Sequence, residues 1–505
     1  MKIRALAVAC AALLSTSVLA ETPNRPQLEA AVKSAHAANV KRLQDWIAHP
    51  TIAAEKVNVD TGADYMRKLL LDAGFQQAKI IPTTGVPGVF ATLDAGAPTT
   101  LGVYFMYDVK QYDPKEWSSP PLEARLVDRP EGKAIVGRGA VNQKGPETAF
   151  LSALRAFKDA GRKPPVNIVL VAEGEEEIAS PHFHEVIANP EVRTAMGKAV
   201  GVFIPSAGQS STGAAEILLG AKGAVEIQLI SSGERWGRGP AKDVHSSLMA
   251  KVDSPAWHLV KALDTLVADD GHTPAVPGWF ENVKPLTERQ KQLVAEGVAK
   301  DNEAEVKKQL GVKRWAFDED FLTSELRLVS QPTINIQGLV SGYTGPGGKT
   351  ILPGRAEAKL DLRLVPDMTK DEAVAKLKKH LADRGFGDIE VVVSGGYGPN
   401  QTDENSLFIQ TEMAALRKAG IDFALTPRSA GSWPGVVFTG PPLKLPAGQF
   451  GLGRGGGAHA PNEWYLIESR NPKVAGFDQA TMFYVDYLYE LAQAAGQGGP
   501  AQRGR

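Results

Sequence analysis

Two apolar runs that stop abruptly at carboxylates constrain this chain more than any other feature. "LGVYFMYD" (residues 101–108) and "VNIVLVAEGEEE" (residues 166–177) each read as a buried strand that ends in acids. Between them lies "GPETAFLSALRAFKDAG" (145–161), with apolar residues at helical spacing. A shorter strand-like run, "GVFATL", covers 88–93, and helical spacing covers Pro26 to Ala48. Strands alternating with helices predict an α/β fold whose mixed sheet is covered by helices on both faces. Ligands gather beyond the carboxyl ends of strands in such sheets. Asp108 and the acids from Glu173 to Glu177 fall there.

The pattern changes near Gly220. "GAVEIQLISSG" and "EAKLDLRLVP" alternate like half-exposed strands, helical spacing covers Ser254 to Ala268, and "TKDEAVAKLKKHLADRG" precedes a third strand, "IEVVVSGG". This order predicts a small antiparallel sheet with helices on one face. A charged segment, "LTERQKQLVAEGVAKDNEAEVKKQLG", reads as a solvated helix pair. A chain of 505 residues is expected to form two or three domains. The boundaries drawn are a first domain over 21–221 and 397–494, an inserted α+β domain over 222–396, and a flexible glycine-rich tail over 495–505.

Residues 1–20 combine Lys2 and Arg4, an apolar run and Val18-Leu19-Ala20. They read as a secretory leader cut after Ala20, which predicts a periplasmic or secreted protein with no membrane segment after cleavage. Cys10 is the sole cysteine, so the mature chain has neither disulfides nor thiolate chemistry. A formal net charge of −1 gives no electrostatic case for a nucleic-acid partner.

Four segments, "YDVKQYDPKEWSSPPLEA", "GRGAVNQKGP", "EGEEEIAS" and "HAPNEWYLIE", resemble the dinuclear zinc peptidases typified by carnosinase, glutamate carboxypeptidase, aminoacylase and succinyl-diaminopimelate desuccinylase. The carnosinase-like branch fits best, since "KDVHSS", "PTINIQGLVSGYTGPGGKTILPGRAEAKLDLRLVP" and "RSAGSWP" match it in order. The resemblance implies a catalytic α/β domain and an inserted lid that forms a homodimer. It also implies that Glu176 is the general base, Glu177 a metal ligand, His459 the late histidine ligand, and Asp108 the aspartate that orients the first histidine. His245 matches a lid histidine that stabilises the oxyanion across the dimer, and Arg363 an arginine that receives a substrate carboxylate. The loop Gly431-Ser432 lies where backbone donors serve the same pocket.

Three ligand positions depart from the pattern. Met106 stands for the first histidine, Asn142 for the bridging aspartate, and Ser206 for the later aspartate. A thioether is a poor ligand for zinc, and an amide or hydroxyl is a weak substitute for a carboxylate. The expected site holds no metal, or one weakly bound zinc-like ion on Glu177, His459 and Asn142. Without the metal, Glu177 is alternatively paired with a base such as Lys144 or Arg138. The favoured function is hydrolysis of an amide bond in a small peptide-like substrate, a dipeptide or N-acyl amino acid, with water activated by Glu176. The alternatives are a catalytically silent binding protein on the same fold and a recruited nucleophile, Ser206 beside His459.

Overall fold

The computed structural model describes residues 23–497. The expected leader, Cys10 within it, and the chain beyond 497 lie outside the described residues. The final helix, Phe477–Gln497, runs past the boundary drawn at 494, because alanines carry its helical pattern towards the glycine-rich end. Among the described residues no helix is long and apolar enough to cross a membrane.

An eight-stranded mixed sheet forms the larger layer. Its spatial order is Gln77–Ile81, Gly88–Leu93, Asn167–Glu173, Thr100–Met106, Ala199–Pro205, Ala447–Phe450, Ala215–Leu218 and Phe423–Thr426. Thr100–Met106 runs parallel to both neighbours, so its end lies level with that of Asn167–Glu173, and Met106 pairs with Glu173. Alternate side chains of this strand enter different cores. Leu101, Val103 and Phe105 pack with residues of the helices Arg25–Ile47, Gly145–Asp159 and Phe477–Gln497. Tyr104 packs on the opposite face with Phe183, Val192 and Phe438. The unbroken apolar run is thus explained by helices on both faces.

The helix Gly145–Asp159 is buried along nearly all its length. It starts at Gly145 because nothing larger fits: a Cβ there would lie 2.3 Å from the Ala140 carbonyl oxygen and 2.6 Å from the Tyr465 ring. Glu147 on its first turn accepts the Met106 N–H at 2.9 Å, tying helix start to strand end.

A second, four-stranded sheet is built from Thr333–Ser341, Arg355–Leu364, Gly223–Ser232 and Glu390–Tyr397, in that order and wholly antiparallel. The helices Pro255–Asp264 and Lys370–Asp383 cover one face, with Leu259, Leu263, Leu377 and Leu381 meeting Val225, Ile227, Leu360 and Leu362 in a separate core. The helix expected to reach Ala268 stops at Asp264. The charged segment forms Glu288–Val298 and Glu303–Leu310, mostly exposed but with Leu293 and Val294 buried. A third sheet, which the sequence reading did not foresee, pairs Arg125–Arg129, Gly132–Val136 and Trp464–Ser469, with Gly455–Gly456 at its edge.

The two larger sheets meet beside the Glu173–Glu177 turn. The Gly396 N–H donates to the Ala179 carbonyl at 3.0 Å. Gly395 has no room for a side chain, since a Cβ would lie 2.6 Å from the Ile178 carbonyl oxygen. This close approach brings the end of Glu390–Tyr397 against the acidic turn.

Candidate active site

Asp108, two residues past its strand, is buried and anchors the turn that follows Asn167–Glu173. Its Oδ1 accepts the Glu176 N–H at 3.2 Å and its Oδ2 the Glu177 N–H at 3.0 Å. Burial and the nearby Glu177 push the Asp108 carboxyl up to about 8, against the pull of those amides. Glu173, on the strand itself, accepts from Tyr104 Oη at 2.8 Å and Ser180 Oγ at 2.9 Å. Glu176 is half-buried. Burial, then Glu177, Asp108 and Glu173, hold its carboxyl well above the usual carboxylate range, while the Lys110 ammonium works the other way.

Glu177 is the hub of the expected ligand set. Only 3% of its side chain is exposed. Asn142 Nδ2 donates to Glu177 Oε1 at 2.7 Å. The same nitrogen lies 3.1 Å from His459 Nε2, which is 3.2 Å from Glu177 Oε2. His459 stands at the mouth of the cleft with 52% of its side chain exposed, in left-handed backbone at φ 64°. Lys110 reaches the group from below: its Nζ donates to the Glu177 carbonyl oxygen and lies 3.5 Å from Glu177 Oε2. Neither base expected as Glu177's alternative partner takes that place. Lys144 Nζ donates to the Trp46 carbonyl at 2.7 Å, and Arg138 Nη1 donates to Glu463 Oε2 at 2.9 Å. Both are buried and are held by those other acceptors.

Glu463 positions Asn142. Its carboxylate accepts from the N–H groups of Gly139, Val141 and Asn142, each at 2.9 Å, besides the Arg138 guanidinium. Arg138 Nη2 also donates to the His459 carbonyl at 3.2 Å, linking both sides of the cleft. The remaining expected residues lie apart from this hub. Met106 is buried at the strand end. Ser206 follows Ala199–Pro205, with its N–H on the Phe450 carbonyl at 3.0 Å, and no described hydrogen bond joins its hydroxyl to His459.

On the second sheet, Arg363 Nη1 donates to Ser432 Oγ at 2.8 Å and its Nε to Asp361 Oδ2 at 2.8 Å. The Gly431 N–H is already committed to Ser429 Oγ at 3.1 Å, so Ser432 offers this loop's side-chain donor. Tyr397 joins the two sides. Its hydroxyl lies 3.4 Å from Ser432 Oγ, and burial and the Glu176 carboxylate push its phenol well up. His245 is exposed, with Nδ1 2.8 Å from Ser247 Oγ, and no described contact ties it to Glu176. Lys110, Tyr397 and Glu463 are site residues that sequence reasoning missed. A base two residues after Asp108 and an acid closing "HAPNE" were the available signals.

Residues 107–482 match the model of Peptidase family M20/M25/M40. The chain belongs to this family. Its fold and its class, a hydrolase, follow from that membership. It is similar to the Cys-Gly metallodipeptidase DUG1 of Saccharomyces cerevisiae, at 27% identity over 84% of this chain and 90% of that protein. It is also similar to the human Beta-Ala-His dipeptidase, at 28% identity over 68% of each chain. Among solved structures it superimposes on the M20 family metallo-carboxypeptidase Sso-CP2 from Sulfolobus solfataricus with a TM-score of 0.79 and 31% identity, covering 90% of this chain and 99% of that one.

Two of these relatives are metallo-enzymes by name, which makes zinc the ion that the donor set here would have to suit. It does not fit. Among the described residues no three His, Cys, Asp or Glu side chains converge as an ion requires. Asn142 directs N–H groups, not lone pairs, at its neighbours, and turning the amide over would set its oxygen against the Glu177 carboxylate.

Proposed function

We propose that this protein hydrolyses the amide bond of small peptide-like substrates, dipeptides or N-acyl amino acids, with Glu176 as general base. The observation that carries this reading is the seam between the sheets. It sets Glu176, on a turn pinned by Asp108, against Tyr397, whose hydroxyl reaches the Ser432–Arg363 pair. A substrate carboxylate bound by the Arg363 guanidinium would bring its amide towards Glu176. Glu176 then takes a proton from water, the hydroxide adds to the carbonyl carbon, and an oxyanion forms. As the C–N bond breaks, the proton held by Glu176 passes to the leaving amine. Dipeptidase relatives support the substrate class.

The oxyanion needs a donor, and no residue of the described cleft is committed to that task. We infer that the protein works as a homodimer in which His245 serves the neighbouring site. The domain boundaries at 222 and 397, and a periplasmic or secreted location, belong to the same reading.

Purified full-length protein incubated with dipeptides and N-acyl amino acids, with and without chelator, tests the proposal. Chelator-resistant turnover that is lost in Glu176→Gln is the expected result. Saturable ligand binding without any turnover would replace it with the silent binding protein, a reading favoured by the substitutions at Met106, Asn142 and Ser206.

A further inference from the structure

The charge balance of the cleft has an unusual member. Glu177 is almost wholly buried, its N–H donates to the buried Asp108 carboxylate at 3.0 Å, and Glu176 is its chain neighbour. A carboxylate in such a place requires a compensating cation. We propose that the Lys110 ammonium is that cation, built into the chain in place of a metal ion, and that its presence excludes zinc from Glu177 and His459.

Geometry carries the assignment. Lys110 leaves the chain two residues after Asp108 and doubles back so that Nζ donates to the Glu177 carbonyl, 3.5 Å from Glu177 Oε2. The same carboxylate takes the Asn142 amide on Oε1 at 2.7 Å. Both oxygens therefore face a nitrogen group of this chain. Zinc held roughly 2.0–2.2 Å from Oε2 would lie within about 6 Å of the ammonium. Two positive centres at that range, partly shielded from water, repel strongly. The neutral amide of Asn142 supplies no second negative charge to offset the repulsion. Met106, buried at the strand end with its N–H on Glu147, has only a thioether where the resemblance expects a ligand.

The inference deepens the hydrolase reading of the same cleft, but its readout is zinc binding. Its failure would therefore leave the role of Glu176 untouched. The test is zinc titration by calorimetry, with metal content measured after dialysis, on the full chain and on Lys110→Met, Lys110→Arg, Asn142→Asp and Asn142→Asp/Lys110→Met. The wild type and Lys110→Arg are expected to retain no stoichiometric zinc. Adding Lys110→Met to Asn142→Asp is expected to tighten zinc binding by at least about tenfold. One retained zinc per wild-type chain would overturn the proposal, and this measurement stands even if a variant fails to fold. Equal zinc affinity of Asn142→Asp with and without Lys110 would overturn it as well.

Discussion

Glu463 shows how much of this site depends on one buried carboxylate. Three N–H groups and a guanidinium converge on it, and together they fix the loop that carries Asn142. Removing the carboxylate leaves Arg138, itself buried, without its charge partner. Such a loss costs about 3–5 kcal/mol. Glu463→Ala should therefore lower the urea midpoint markedly, and Glu463→Gln should fall between it and the wild type. A Glu463→Ala protein within about 1 kcal/mol of wild type would contradict the account. The sequence made part of this arrangement legible. Asp108, Asn142, Glu177 and His459 were grouped by the family resemblance, and the structure brings them into contact. Lys110 and Tyr397 were not legible. A lysine in a loop has many directions open to it, and its turn towards Glu177 depends on where a different strand ends. Tyr397 acquires its neighbours only because Gly395 lets two sheets touch.

Among the elements, the helices Leu407–Lys418 and Phe477–Gln497 bury an acid with no evident task. Glu412 is fully buried, neither carboxylate oxygen has a hydrogen-bond partner among the described residues, and the Tyr487 hydroxyl that feels its charge is likewise unpaired. Burial holds the Glu412 carboxyl well above its ordinary value of 4.5. The folded state thus keeps a proton that the unfolded chain releases. Stability contributed by the neutral form is full below the unfolded value and is lost as pH rises towards the folded one. Glu412→Met should accordingly stabilise the protein by about 1–3 kcal/mol more at pH 8 than at pH 5, read by denaturant unfolding. An equal difference at both pH values would remove burial as the cause. Apolar patterning made a part of the elements readable: "GVFATL" is the strand Gly88–Leu93, and the first helix spans Arg25–Ile47. The third sheet escaped because "RLVDR" is charged and largely exposed, and only its pairing with Gly132–Val136 makes it a strand.

At the scale of the whole molecule, the second sheet ends in a strand that invites a partner. Thr333–Ser341 lies at the sheet edge, with Ile336, Leu339 and Val340 48%, 53% and 54% exposed. An open edge carrying apolar side chains is a template for pairing with another chain. His245, exposed and with its described side-chain hydrogen bonds all to Ser247, lies in the chain between the strands Gly223–Ser232 and Thr333–Ser341 of that sheet. If that histidine completes the cleft of a second copy, the two halves of the site can be separated by mutation. His245→Ala and Glu176→Gln should each be inactive when prepared alone. In a heterodimer of the two, one cleft combines the intact Glu176 of the first chain with the intact His245 of the second, and the other cleft lacks both. Random pairing in a two-fold dimer puts half the chains in heterodimers, so co-refolded or co-expressed mixtures should recover about a quarter of wild-type turnover. Adding Leu339→Asp to both chains should abolish the recovery and shift the sedimentation coefficient to that of a monomer. Mixtures that stay inactive while sedimenting as dimers would confine His245 to its own chain, whereas a His245→Ala protein that turns over unaided would place the histidine outside the chemistry and leave the oxyanion to another donor, with the Tyr397 hydroxyl next in line by its position beside Glu176.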